Sequence, residues 1–131
     1  MTSRILIVDD RAVVRKELRH VLELTGAVTV IGEAIDGWDA INQAKKLKPD
    51  IVLIDLEMPG LDGFEATRRI KTLNLAKTVI IHTVYTDDVY QKKAVEVGAD
   101  AFLVKGTDIQ TLLILFEKFS GQQDETPDVL S

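Results

Sequence analysis

Ile51-Val52-Leu53-Ile54 is an unbroken run of β-branched and aliphatic residues that ends at an acid, Asp55, with Leu56-Glu57-Met58 and then Pro59-Gly60 close behind. Such a run reads as a strand buried on both faces, as in the middle of a parallel sheet. An aspartate at its last position cannot share that burial. It belongs at the sheet's open end, where a charge can meet water, a metal or a ligand. Leucine would pack better there, so Asp55 reads as present for chemistry. The duller role, capping the following helix, is better filled by Asp62.

The same grammar recurs along the chain. Ile5-Leu6-Ile7-Val8 is a second apolar run, and it too ends in acid, Asp9-Asp10. Val14, Leu18, Val21 and Leu22 follow at helical spacing, with Arg15, Lys16, Arg19 and His20 expected outward and Gly26 placed to end the helix. Val28, Val30 and Ile31 make a weaker strand suited to an edge, and Ala40, Ile41, Ala44 and Leu47 stripe a second helix closed by Lys48-Pro49. Asp62 caps a third helix with Ala66, Ile70 and Leu73 expected inward and Phe64 on its flank. Val79-Ile80-Ile81 leads to Thr83, and Asp87-Asp88 opens a helix with Tyr90, Ala94 and Val97 on one face and Gly98 at its end. Ala101-Phe102-Leu103-Val104 ends at Lys105, and Thr107-Asp108 is expected to cap a last helix with Ile109, Leu112, Leu113, Phe116 and Phe119 inward.

Strand and helix thus alternate five times with short connections, which requires right-handed crossovers between parallel strands. The expected fold is α/β, a doubly wound three-layer α/β/α sandwich around a five-stranded parallel sheet of flavodoxin-like order 2-1-3-4-5. Residues 1–120 form one domain on this reading, and residues 121–131, with the polar run Gln-Gln-Asp-Glu-Thr-Pro-Asp, form a tail or the start of a linker. A length of 131 residues suits a single domain. The net charge of -5 disfavours nucleic-acid binding by this segment, since phosphate recognition needs a basic surface. The absence of cysteine excludes disulfides and thiolate metal sites. No leader and no apolar run of membrane-spanning length is visible, so a soluble, cytoplasmic protein is expected.

In a parallel sheet the C-terminal ends of all strands open on one side. Here those ends carry Asp9 and Asp10, Asp55, Thr83 and Lys105. Strands one and three flank the topological switch point, so the three carboxylates should crowd together. Crowded carboxylates repel, and a hard divalent cation relieves them; oxygen ligands favour Mg²⁺ over zinc or copper. Lys105 adds an ammonium and Thr83 a hydroxyl beside Asp55. A carboxylate surrounded by metal, ammonium and hydroxyl is equipped to act as a nucleophile toward phosphorus and to hold the resulting aspartyl-phosphate.

These residues, with Val8-Asp9-Asp10, Asp55-Leu56-Glu57-Met58-Pro59-Gly60-Leu61-Asp62-Gly63, Thr83 and Phe102-Leu103-Val104-Lys105, resemble the response-regulator receiver domain of two-component signalling over residues 4 to 119. The sequence is most similar to receivers of LuxR-type (NarL/FixJ-like) transcriptional regulators. The resemblance implies that Asp55 is the phosphoacceptor. It implies a Mg²⁺ site, with Mn²⁺ as a substitute, formed by Asp10 and Asp55 directly, Asp9 through water and Glu57 through its backbone carbonyl. Thr83 and Phe102 are then the switch residues, Lys105 pairs with the phosphoryl group, and Glu57 and Tyr85 tune its lifetime. A sensor histidine kinase is the implied donor and partner. DNA is implied only through a further C-terminal domain, and a homodimer or output-domain contact through the face between the fourth and last helices. On this reading the protein is a switch and not an enzyme, apart from its own phosphorylation and slow autodephosphorylation.

Two residues depart from the commonest family pattern. Gly106 follows Lys105 where the family usually has proline, which leaves the isomer of that bond open. Phe102 stands where tyrosine is more usual, so a ring hydroxyl is lost. The rival readings are a stand-alone receiver, a haloacid-dehalogenase-like phosphatase and a flavin carrier. The phosphatase requires an aspartate where Glu57 stands, and the acidic loops suit a cation better than a flavin phosphate. Of the remaining residues, His82 reads as structural, His20 as solvated and Trp38 as a cover for the sheet edge, with a docking spot as its alternative role. Ile114 and Leu115 are left pointing outward, which suggests a partner surface.

Overall fold

The structure, a computed structural model, describes residues 2–26, 28–107 and 109–121. Five strands, β1 (Ser3–Val8), β2 (Val28–Ala34), β3 (Ile51–Ile54), β4 (Thr78–Thr83) and β5 (Ala101–Val104), alternate with five helices. The helices are α1 (Ala12–Leu24), α2 (Gly37–Leu47), α3 (Gly63–Thr72), α4 (Asp88–Glu96) and α5 (Ile109–Gly121). All strand pairs are parallel and the order is β2-β1-β3-β4-β5, as the alternation required. No helix among the described residues is long and apolar enough to cross a membrane. The expected cap at Asp108 and the tail from residue 122 onward lie outside the described residues.

Strand alternation divides the core in two. Leu6, Val8, Val52, Ile54, Val79 and Ile81 pack with residues of α2, α3 and α4, whereas Ile5, Ile7, Ile51, Leu53, Ile80 and Leu103 pack with Leu22, Leu112 and Phe116 of α1 and α5. The central strands are buried along their whole length, which is why they read as continuous apolar runs. Helix starts follow local chemistry: the carboxylates of Asp36 and Asp62 accept from the amides of Asp39 and Glu65 at 2.8 and 2.9 Å. Gly26 and Gly98, just past α1 and α4, adopt φ of +73° and +95°.

Several packing expectations need correction. Leu73 is exposed at the end of α3, and Phe64 and Thr67 are buried in its place. In α5 it is Leu115, not Leu113, that packs against the core with Leu112, Phe116 and Phe119, following the helical spacing of three and four. Ile114 is exposed as expected. Trp38 does not cover the sheet edge; half of it is exposed, and the Arg69 guanidinium lies 4.9 Å over its ring. Arg15 and Arg19 are not simply solvated, because both turn onto Glu33 of β2.

Candidate functional site

Register brings the site together. Val8 pairs with Ile54 across β1 and β3, so the next residues, Asp9 and Asp55, leave the sheet side by side. Their amides stay anchored to neighbouring strands: Asp9 N donates to Ala34 O at 3.1 Å and Asp55 N to Val8 O at 3.0 Å. Thr83 pairs with Val104, which places Lys105 one residue beyond the edge on β5. The ammonium of Lys105 reaches back across β4 and lies 2.8 Å from Asp9 Oδ2 and 3.4 Å from Asp55 Oδ1.

Asp9, Asp10 and Asp55 each offer a carboxylate oxygen, and these oxygens lie within 4.8 Å of one another. Asp9 and Asp55 are buried and Asp10 is exposed. Burial pushes the Asp55 carboxyl above its ordinary range and Asp9 adds to the rise, while Lys105 works against both. A cluster of hard oxygen donors with one open, exposed member fits a divalent cation of the Mg²⁺ kind and offers nothing to a soft metal. Above it lies a cleft of about 650 Å³ whose lining includes Asp10, Arg11, Asp55, Glu57, Met58 and Lys105.

The β3–α3 connection keeps Asp55 in place. Gly63 N donates to Leu56 O at 3.1 Å, and a Cβ on Gly63 would come within 2.2 Å of the Asp55 carbonyl oxygen. Glycine is therefore required for the start of α3 to close on the site.

Thr83 is fully buried, and its hydroxyl accepts from Tyr85 N at 3.3 Å. Val84, not Thr83, is the β4-end residue on the cleft wall. Phe102 is partly buried against the α2–α4 half of the core. Tyr85 meets the cleft through Glu57: its hydroxyl donates to Glu57 Oε2, and its ring stacks on Tyr90 with centroids 4.5 Å apart. That hydrogen bond to Glu57 is the main reason the Tyr85 hydroxyl is pushed up to about 12. His82 points to the opposite face of the sheet from Thr83, toward Val14, Leu18 and Leu112. The Lys105–Gly106 bond is trans, with Gly106 at φ +91°.

Two participants were missed. Arg11 donates its amide to Asp9 Oδ1 at 2.9 Å, and Arg15 donates a guanidinium N–H to the Asp9 carbonyl at 2.7 Å. Neither bond has a residue-type pattern that spacing alone would disclose, since one is a backbone donor and the other ends on a backbone acceptor.

The sequence model of the response regulator receiver domain matches residues 5–117. The chain is 41% identical over 129 residues to the transcriptional regulatory protein YdfI of Bacillus subtilis, a match covering 98% of this chain and 60% of the relative. It is 35% identical over 126 residues to the response regulator UvrY of Escherichia coli, covering 95% and 58% respectively. The chain thus spans about three fifths of the length of these curated relatives. Among solved structures, a two-component response regulator of the LuxR family from Aurantimonas superposes with a TM-score of 0.85 at 34% identity, covering 92% of this chain and 87% of that one. The signal receiver domain of the NarL response regulator from Mycobacterium tuberculosis superposes with a TM-score of 0.84 at 27% identity, covering 92% and 98%.

Proposed function

Because the chain belongs to the response regulator receiver domain family, we propose that it is a phosphorylation-controlled switch in which Asp55 accepts a phosphoryl group from the phosphohistidine of a sensor histidine kinase. The observation that carries this reading is Lys105 bridging Asp9 and Asp55, with Asp10 completing the carboxylate cluster at the mouth of the cleft.

In this reading an Asp55 Oδ atom attacks phosphorus, a P–O bond forms, and the P–N bond to the donor imidazole breaks with its electron pair left on nitrogen. Asp9, Asp10 and Asp55, with the backbone carbonyl of Glu57, would hold Mg²⁺ or Mn²⁺, which when bound neutralises charge on the transferred phosphoryl oxygens. Lys105, already 3.4 Å from Asp55, balances another part of that charge from the β5 side. The anchored amide of Asp55 and the close approach of Gly63 hold the nucleophile still, so little ordering remains to be done when the donor arrives.

The switch runs through Thr83. Its hydroxyl oxygen accepts from the Tyr85 amide before phosphorylation, and its own O–H is the group that would donate to a phosphoryl oxygen on Asp55 and draw Thr83 inward. Phe102, partly buried, follows into the space that Thr83 leaves, and the α4–α5 face changes its partner preference as a shift between two packings. Glu57 on the cleft wall and Tyr85 bonded to it set water access and hence phosphoryl lifetime. The likeness to transcriptional regulators supports a transcriptional output, exerted through a DNA-binding segment beyond the part compared, with the α4–α5 face contacting that segment or a second copy.

Incubation with acetyl phosphate and Mg²⁺, followed by intact mass and peptide mapping, tests the chemistry without the kinase. The wild type should gain the mass of one phosphoryl group on the peptide carrying Asp55, and Asp55→Asn should gain none. A wild type that never gains it, or a phosphoryl group mapped elsewhere, overturns the reading.

A further inference from the structure

Glu33 lies on an edge strand, where a charged side chain needs no explanation, yet the local geometry aims it at one place. Pairing between β1 and β2 jumps at Ile5/Leu6: Ile5 faces Val30, but Leu6 faces Gly32, so Ile31 is an extra residue. The bulge inverts the faces of the strand beyond it. Val28 and Val30 pack on the α1–α5 side, but a Cβ on Gly32 would point at Leu47 and Leu6 on the α2 side, which returns Glu33 to the α1 side. There it meets two arginines one helical turn apart.

Arg15 Nε donates to Glu33 Oε1 at 2.8 Å and Arg19 Nε to Glu33 Oε2 at 2.9 Å. Burial pushes the Glu33 carboxyl up, but the two arginines outweigh it and hold the group below its ordinary range, so it is ionised at neutral pH. The arginines differ in what else they hold. Arg15, 13% exposed in its side chain, donates Nη1 to the Asp9 carbonyl at 2.7 Å. Arg19 reaches the Val30 carbonyl at 3.4 Å, on the strand and away from the site.

The Asp9 carbonyl belongs to the peptide plane that joins Asp9 to Asp10. Its orientation decides where the Asp10 backbone turns, and so where the exposed carboxylate points. We propose that Arg15, locked by Glu33, is a positioning residue for the cation site: it fixes the Asp9–Asp10 peptide so that Asp10 faces Asp55. A planar guanidinium serves both acceptors at once, one through Nε and one through Nη1, which a lysine ammonium at the end of a flexible stem does not reproduce. The inference rests on the reading of the three aspartates as a Mg²⁺ site, and goes beyond it by assigning a residue that touches no metal.

Mg²⁺ titration by calorimetry, with urea denaturation run in parallel, tests this on wild type, Arg15→Met, Arg15→Lys and Arg19→Met. Outer-shell partners typically cost a metal site 10–100-fold in affinity when removed, so Arg15→Met should weaken Mg²⁺ binding by about 10-fold. Arg19→Met breaks a bond to the same Glu33 and loses stability in the same way, yet should bind Mg²⁺ like wild type. Arg15→Lys keeps the charge, and should still bind several-fold more weakly; it carries the test if Arg15→Met does not fold. Wild-type affinity in the Arg15 variants overturns the proposal, and so does an equal loss in Arg19→Met, which would mark the effect as general loosening. A wild type that binds no Mg²⁺ at all removes the cation site itself, and the proposal with it.

Discussion

The ammonium of Lys105 lies closer to Asp9 than to Asp55, 2.8 against 3.4 Å, so one cation at the end of β5 serves two buried acids at the ends of β1 and β3. Removing it leaves two carboxylates facing each other with little water. Lys105→Gln should therefore cost about 2 kcal/mol of stability without metal at neutral pH, the scale for losing a hydrogen bond to a charged group. Mg²⁺ should return more of that stability to the variant than it adds to wild type, because it no longer competes with the ammonium. Urea midpoints with and without Mg²⁺ measure both effects, and an unchanged midpoint would show that the pair contributes nothing.

Asp10 presents the reverse case. It is exposed, and its oxygen lies within 4.8 Å of those of Asp9 and Asp55, so it adds repulsion without sharing their burial. At such separations in a solvent-like dielectric the repulsion is about 1 kcal/mol. Asp10→Asn should raise the metal-free melting temperature slightly and abolish the rise on adding Mg²⁺. A variant that melts like wild type and still responds to Mg²⁺ would contradict the crowding.

The meeting of Asp9, Asp10, Asp55 and Lys105 was legible in the sequence because register, not long-range detail, creates it. Continuous apolar runs ended at Asp9, Asp55, Thr83 and Lys105, and parallel pairing aligns such ends whatever the helices do. What escaped notice depends on small displacements. The extra residue at Ile31 reverses the facing of Glu33, so Arg15 and Arg19 read as solvated when they are tied to the sheet. Leu113 and Leu115 are both apolar and two apart, and only the rotation of α5 on the sheet decides which one packs inward. Trp38 read as a cover for the sheet edge, whereas α3 supplies Arg69 as its neighbour.

Gly63 limits how far α3 can be altered. Its Cβ position is 2.2 Å from the Asp55 carbonyl oxygen and 2.8 Å from the Leu56 Cα, both backbone atoms without freedom to yield. Gly63→Ala should cost about 1–3 kcal/mol, the range for overpacking, despite alanine's better helix propensity. It should also slow phosphorylation by acetyl phosphate, since the peptide that moves is that of Asp55. Urea denaturation and the phosphorylation time course test it, and a variant stable and fast as wild type would show that the loop gives way freely.

His82 makes the fold acid-sensitive in a window of its own. It is buried on the α1–α5 side of the sheet, and burial, with the nearby charge of Lys105, lowers its imidazole to about 4 from an ordinary 6.5. The folded state thus resists a proton that the unfolded chain takes readily. Stability is fully present above pH 6.5, falls as the pH drops below it, and stops falling near pH 4, where the folded imidazole also protonates. At about 1.4 kcal/mol per pH unit the loss across that window amounts to roughly 3 kcal/mol. Asp55, with its raised carboxyl, acts in the opposite sense and gains stability as the pH falls, and Glu33, held low, loses its share only below the ordinary glutamate range. Comparing His82→Leu with wild type isolates the histidine from both. The variant's urea midpoint should fall less than that of wild type between pH 7 and pH 4.5, in metal-free buffer. Parallel curves for the two proteins would mean that the folded imidazole accepts its proton at an ordinary pH, and that burial against α1 does not keep water from it.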